Sequence, residues 1–255
     1  MHPKFAAKLR TGQPLIGVWL QIPHVMVAET LAQSGADFIL LDGEHAPLPP
    51  DALVWLLPAI ERFAMPVIYR VRANSVALIK GALDAGVSAI MVPMVNSLEE
   101  ASAAIAAAKY PPMGKRGAGP WRAANYYLDD GAYQAKANAD VPVVLQIETK
   151  EAVAAVDEIA AIAGIDALFV GPYDLCLSMG LEPGKLHPEL IVAYKKVNAA
   201  AKRNGIATAI DVGSLDFIKP YRELGFSLMT HGLDTQFLID GSRQVAQSFK
   251  AAFKG

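Results

Sequence analysis

Disulfides, cysteine-rich metal clusters and membrane spans have almost nothing to be built from in this sequence. A single cysteine, Cys176, stands among 255 residues, so no intramolecular disulfide can form and a reducing compartment is the simpler setting. The histidines, at positions 2, 24, 45, 187 and 231, are too scattered for a three-histidine zinc motif. No apolar stretch approaches the ~20 residues that a membrane helix requires, because Pro58 and scattered charges interrupt the longest ones. Lys4, Lys8 and Arg10 lead into Thr11-Gly12-Gln13-Pro14 instead of an apolar run, so a signal peptide is not expected. An excess of one charge is missing too: a formal net charge of -2 offers no surface for nucleic acid. The expectation is a soluble, cytoplasmic protein with neither a nucleic-acid nor a membrane partner.

What is present is apolar and alternating. With 53% hydrophobic and 19% charged residues, residues 1–255 suffice for one large α/β barrel without a second domain. Short apolar runs at 15–20, 37–42, 66–70, 89–93, 143–148, 167–170, 206–211 and 228–231 read as strands. Helices are expected between and after them at 25–34, 51–62, 75–85, 97–109, 150–163, 188–204, 214–224 and 234–253. Strand followed by helix, repeated eight times, is the pattern of a single (β/α)8 TIM barrel. Gly35, Gly86, Gly164, Gly205 and Gly225 each fall between a helix and the next strand, where a left-handed cap suits glycine. Ser97 and Glu100 have capping-box spacing. The longest irregular stretch, 110–127, is rich in aromatic and basic residues, which suits a ligand or a neighbouring subunit as well as a surface excursion.

In such a barrel the strand C-termini face the active site. They deliver Asp42, Glu44 and His45, then Arg70 and Arg72, Gln146 and Glu148, Asp174, Asp211 and His231. Glu44 is expected to point away. Any one of these is unremarkable as a solvated strand end; acid, base, cation and two carboxylates on one rim make a site. Glu148 and Asp174 end adjacent buried strands and outline a divalent-metal site. Carboxylate ligands with water and substrate oxygens suit Mg2+ or Mn2+, with Co2+ an alternative. No expected strand contains a lysine, and Lys150 lies just past the fifth, which disfavours imine chemistry.

Asp42-Gly43-Glu44-His45-Ala46-Pro47, Arg70, Leu83-Asp84-Ala85-Gly86, Met91-Val92-Pro93-Met94-Val95, Gly114-Lys115-Arg116-Gly117, Gln146-Ile147-Glu148 and Gly171-Pro172-Tyr173-Asp174-Leu175 resemble, in order and spacing, the class II pyruvate aldolases of the HpcH/HpaI family. The resemblance covers nearly the whole chain. It implies a divalent metal held by Glu148 and Asp174, and a 2-oxo acid, pyruvate or hydroxypyruvate, that reacts with an aldehyde. Arg70 would stand beside the keto oxygen and His45 would govern proton transfer. Gln146 and the backbone around Tyr173 and Asp174 would seat the carboxylate. A homo-oligomer is implied, a hexamer built as a trimer of dimers. Tyr173 departs from the small residue expected there, and Met229-Thr230-His231-Gly232 from a small apolar pair; both bear on the aldehyde partner. Two other readings stay open: a Claisen-type condensing enzyme on the same site, and a non-catalytic barrel that binds oxo acid and metal.

The family pairs its histidine with an aspartate that matches Asp84. Asp84 sits near the end of a helix descending from the rim, and about ten residues at ~1.5 Å each place it some ~15 Å below His45. It is therefore expected to complete a neighbouring subunit's site. The alternative is that Asp42 orients His45 instead. Leu238, Val245, Phe249 and Phe253 form a stripe at helical spacing that would let the C-terminal helix dock on another barrel.

Overall fold

Parallel strands buried on both faces must lose their alternation, and those of this protein do: five of the eight are buried at every position. The structure, a computed structural model, describes residues 3–253. Its strands are β1 (Leu15–Leu20), β2 (Phe38–Asp42), β3 (Val67–Arg70), β4 (Ala89–Val92), β5 (Val143–Ile147), β6 (Ala167–Val170), β7 (Ala207–Asp211) and β8 (Leu228–Leu233). They pair in sequence order, all parallel, and β8 closes on β1. The helices are α1 (Pro3–Arg10), α2 (Val25–Leu31), α3 (Leu53–Glu61), α4 (Val76–Ala85), α5 (Leu98–Ala108), α6 (Asp130–Asp140), α7 (Lys150–Ala154), α8 (Val156–Ala160), α9 (Pro172–Ser178), α10 (Pro188–Arg203), α11 (Ile218–Leu224) and α12 (Asp234–Ala252). This is the expected single (β/α)8 barrel.

Two cores hold it. Between the barrel and its helices lies a continuous layer that includes Leu41, Leu56, Tyr69, Ile90, Leu145 and Tyr194. Inside the barrel a second core stacks Phe38, Leu40, Ile68, Met91, Val144 and Phe169. α1 was not expected from the sequence, and it supplies the stopper: Phe5 and Leu9 enter the barrel interior, with Phe5 5.7 Å from the ring of Phe38. Gly17 makes room, since a Cβ there would fall 2.2 Å from Phe38. The lower end is thus filled, and the open end is the one where the strands finish.

The punctuation behaves as its chemistry requires. Gly86 and Gly225 cap α4 and α11 at φ 96° and 109°. Ser97 Oγ accepts from the Glu100 N–H at 3.2 Å while the Glu100 carboxylate reaches back to the Asn96 N–H at 2.7 Å. Three expectations need correction. The helix expected over 150–163 is broken at Ala155 into α7 and α8. β5 ends at Ile147, which leaves Glu148 one residue past the strand. The long stretch after α5 contains a short turn of helix at Trp121–Ala124 and is followed by α6, whose polar, alanine-rich sequence carries little apolar periodicity.

Candidate active site

Arg70 ends β3 and is the best-anchored side chain of the rim. Its Nε and Nη2 lie 3.1 and 2.9 Å from Asp42 Oδ1 at the end of β2. Its Nη1 lies 3.1 Å from Glu44 Oε2. The guanidinium plane stacks on the Trp19 ring, 4.5 Å from the centroid, and the Trp19 N–H is held at 2.8 Å by Asp211 Oδ1. Asp42 is 0% exposed. Burial alone would raise its carboxyl, but Arg70, with a 3.0 Å bond from Gln21 Nε2, holds it below the ordinary value. Both members of this pair are inside, so neither leaves without stranding the other.

Glu44 does not point away. The strand alternation ends at Gly43, where a Cβ would meet the Tyr69 hydroxyl at 2.3 Å and the Arg70 carbonyl at 2.6 Å. The chain therefore turns with no side chain at that position, and Asp42 Oδ1 accepts from the next two backbone N–H groups at 3.1 and 3.2 Å. Glu44 is swung toward Arg70 and His45, the latter 3.7 Å from its Oε2. That oxygen is buried without a partner in hydrogen-bond geometry. Burial chiefly, with Asp42 and Asp174 adding, pushes its carboxyl above the usual range.

Glu148 is 2% exposed and held from two sides. The Met94 N–H donates to Oε1 at 2.8 Å, and Gln146 Nε2 donates to Oε2. Met94 takes a left-handed φ of 53° to aim that N–H, a conformation uncommon for a non-glycine residue and frequent at functional sites. Gly171 leaves the space the carboxylate occupies, since a Cβ there would sit 2.6 Å from Oε2. Burial, then the negative charges of Glu44 and Asp174, push the Glu148 carboxyl up to about 7. Asp174 lies in the first turn of α9, which follows β6 directly. Gln146 Oε1 is a second buried oxygen without a partner. A crowd of carboxylates with orphaned oxygens fits a cation. Among the described residues no three His, Cys, Asp or Glu side chains are grouped to hold a metal. Glu148 and Asp174, close enough for the charge of one to raise the carboxyl of the other, are the carboxylates that could hold it, with the remaining positions left to substrate and solvent oxygens.

His45 stands at the mouth, its side chain 62% exposed. Asp42 contacts its backbone N–H and makes no bond to its ring. Asp84 is placed elsewhere: it lies near the C-terminus of α4, and its Oδ1 accepts from Arg116 Nη2 at 2.6 Å. That guanidinium is buried against Tyr110 and Tyr133, 4.6 and 5.5 Å from their centroids. Burial raises the Asp84 carboxyl against the pull of Arg116. The chain thus brings together Asp42, Glu44, His45, Arg70, Gln146, Glu148 and Asp174, and leaves Asp84 out.

A cavity of about 540 Å3 opens over this rim, within the range of small-molecule sites. Trp19, Gln21, Asp42, His45, Arg70, Gln146, Tyr173, Asp174, Asp211 and His231 line it. Tyr173 is 63% exposed. His231 is fixed through Nδ1 to the Val212 carbonyl, and burial raises the Asp211 carboxyl. Arg72 is drawn off to the Gly43 carbonyl at 3.2 Å. Three participants escaped the sequence: Trp19, Gln21 and the Met94 N–H. The first two sit at and just after the end of β1, a strand end like the others. The third depends on a backbone angle that no residue pattern signals.

The profile of the HpcH/HpaI aldolase/citrate lyase family matches residues 15–241. A 4-hydroxy-2-oxo-heptane-1,7-dioate aldolase of Escherichia coli is 36% identical over 98% of this chain and 96% of its own. The crystal structure of an HpcH/HpaI aldolase/citrate lyase family protein from Burkholderia cenocepacia superposes with a TM-score of 0.91 at 35% identity, covering 97% of this chain and 99% of that one. A citrate synthase structure, 24% identical and covering 98% of each chain, shares the fold at a TM-score of 0.87. With the profile spanning the whole barrel and identity above a third along its length, the chain belongs to the HpcH/HpaI aldolase/citrate lyase family.

Proposed function

We propose that this protein is a divalent-metal-dependent aldolase, a carbon-carbon lyase that makes or cleaves 4-hydroxy-2-oxo acids by way of a 2-oxo acid, pyruvate or hydroxypyruvate, and an aldehyde. The observation that carries the reading is the Arg70 guanidinium, locked by Asp42 and Trp19 and facing the carboxylates of Glu44, Glu148 and Asp174. In the cleavage direction a proton leaves the C4 hydroxyl, the C3–C4 bond breaks, the aldehyde departs and the electron pair moves onto the 2-oxo oxygen. Charge grows on that oxygen, and a guanidinium that needs no reorganisation stabilises it as it forms. His45, at the mouth and beside Glu44, is the group placed to accept the hydroxyl proton and to return it. Glu148 and Asp174 would hold Mg2+, Mn2+ or Co2+, and such an ion, when bound, supplies Lewis-acid polarisation of the 2-oxo group. Gln146 keeps Glu148 in place, and its free Oε1 faces the same region.

Incubation of pyruvate with the protein in D2O isolates the donor half-reaction. Methyl-proton exchange, lost on chelation and restored by metal, is expected; its absence, or a lysine trapped by borohydride with pyruvate, would overturn the reading. A panel of aldehydes then identifies the acceptor.

The same geometry supports a homo-oligomer whose neighbour supplies Asp84. His45 is exposed and its ring has no carboxylate partner but Glu44, while Asp84 is braced by Arg116 away from the cavity. Beyond the first turn of α12, Leu238, Val245, Phe249 and Phe253 are exposed, a stripe that suits a second copy of the barrel. His45→Ala and Asp84→Ala chains, co-refolded, are expected to regain part of the activity each lacks. A mixture as inactive as its components, or a fully active Asp84→Ala protein, would remove Asp84 from the machinery.

A further inference from the structure

A second cavity, of about 500 Å3, adjoins the first. Pro172, Tyr173, Asp211 and Gly213 line both, so these residues form the wall and the neck between them. Gly213 lies at the neck beside open space, since a Cβ there would have no atom within 4 Å. Beyond the neck the character changes from charged to aromatic. Tyr194 and Phe217 stand on either side of Tyr221, each with its centroid 5.6 Å from that ring, and Cys176 adds a small apolar patch. Tyr194 is 0% exposed, and its hydroxyl, beside the Tyr221 phenol, is closed off from the open space of the cavity.

Resting on the aldolase reading above, we infer that this second cavity receives the body of the aldehyde acceptor, and that the acceptor class is an extended, mainly apolar aldehyde. The carbonyl carbon must meet the 2-oxo acid beside Arg70 and Asp174, on the first cavity's side of Tyr173. A chain leaving that point past Gly213 enters the aromatic compartment, where apolar surface is removed from water. A two-carbon acceptor would use none of this. Tyr173, where a small residue was expected, is then the divider that steers the chain sideways.

Two acceptors test it with pyruvate: acetaldehyde and 3-phenylpropanal. The wild type is expected to favour 3-phenylpropanal over acetaldehyde in kcat/KM by at least about tenfold, the order of discrimination an apolar pocket provides. Phe217→Trp and Cys176→Met, which touch only the second cavity, should erase that preference. Both should retain acetaldehyde turnover and pyruvate proton exchange. Should Cys176→Met fail to fold, Phe217→Trp alone decides. A wild type that exchanges pyruvate protons yet shows no preference, or a preference surviving in the filled variants, overturns the inference and leaves the aldolase reading standing. Failure of exchange in the wild type overturns both.

Discussion

The two ends of the barrel treat buried charge in opposite ways. At the lower end Asp166 accepts from Arg10 Nε at 2.7 Å and from the Val143 N–H at 2.8 Å, with Lys109 Nζ 3.8 Å away. Lys109, 2% exposed, spends its donors on the Asn138 and Val141 carbonyls, both at 2.9 Å. Burial lowers its ammonium, and Asp166 opposes that. These side chains find their partners within the chain. At the upper end Glu44 Oε2, though 3.1 Å from Arg70 Nη1, and Gln146 Oε1 are buried with no donor in hydrogen-bond geometry, and the Glu148 carboxyl is held at about 7. A network that only stabilises closes its hydrogen bonds; one that binds leaves some open for what arrives.

Metal removal should separate the ends most sharply. Chelation is expected to take activity to background, with Mg2+, Mn2+ or Co2+ restoring it. The same ions should raise the melting temperature of the wild type and leave that of Glu148→Ala unmoved, because a ligand that binds only the folded site stabilises by mass action. An equal shift in the variant would put the ion elsewhere.

Arg70→Ala comes next. Loss of a fixed donor at a developing oxyanion costs on the order of 10² to 10³ in rate, read here as deuterium exchange into pyruvate. Arg70→Lys should recover little, since a point charge replaces a planar fork stacked on Trp19. Exchange undiminished in Arg70→Ala would confine Arg70 to the aldehyde.

At the lower end the effect changes kind. Asp166→Ala should lose about 2 kcal/mol of stability in denaturant titrations, as buried donors are left unpaired. Its activity per folded molecule should be unaltered; a large fall in kcat at unchanged fold would contradict the division drawn here.

The smallest expected effect is in acid. The folded-state value of Asp42 lies below its ordinary 3.8, so its contribution is present above that value and is lost as pH falls through the lowered one. Asp42→Asn should flatten this part of the acid limb of stability against pH. An acid limb identical in the two proteins would show that Asp42 carries no such linkage.

What the sequence made legible follows the physics of each signal. Strands buried on both faces announce themselves as apolar runs, and all eight are placed within a residue or two. Rim residues inherit that accuracy, since Asp42, Arg70 and Asp211 are the last residues of their strands. Errors begin where a periodic rule stops. Glu44, expected to point away, is turned inward just past the end of β2, at Gly43. α9 was not among the expected helices, although a proline at the first helical position was there to mark it. Met94 and its N–H lay beyond any pattern. The same boundary holds for Asp84: its place at a helix end was readable, its partner Arg116, 32 residues away, was not.

α12 carries one more consequence. It runs for 19 residues, but Asp234 is its only buried residue, tied to the Gln21 and Ile22 N–H groups at 3.1 and 2.8 Å. A helix of that length without a packed face is marginal in water. Its folded fraction should then report on whatever covers the apolar stripe, and if that is another copy of the chain, ellipticity at 222 nm per residue becomes a function of dilution, with fraying that starts at Phe253 and stops at the Asp234 anchor.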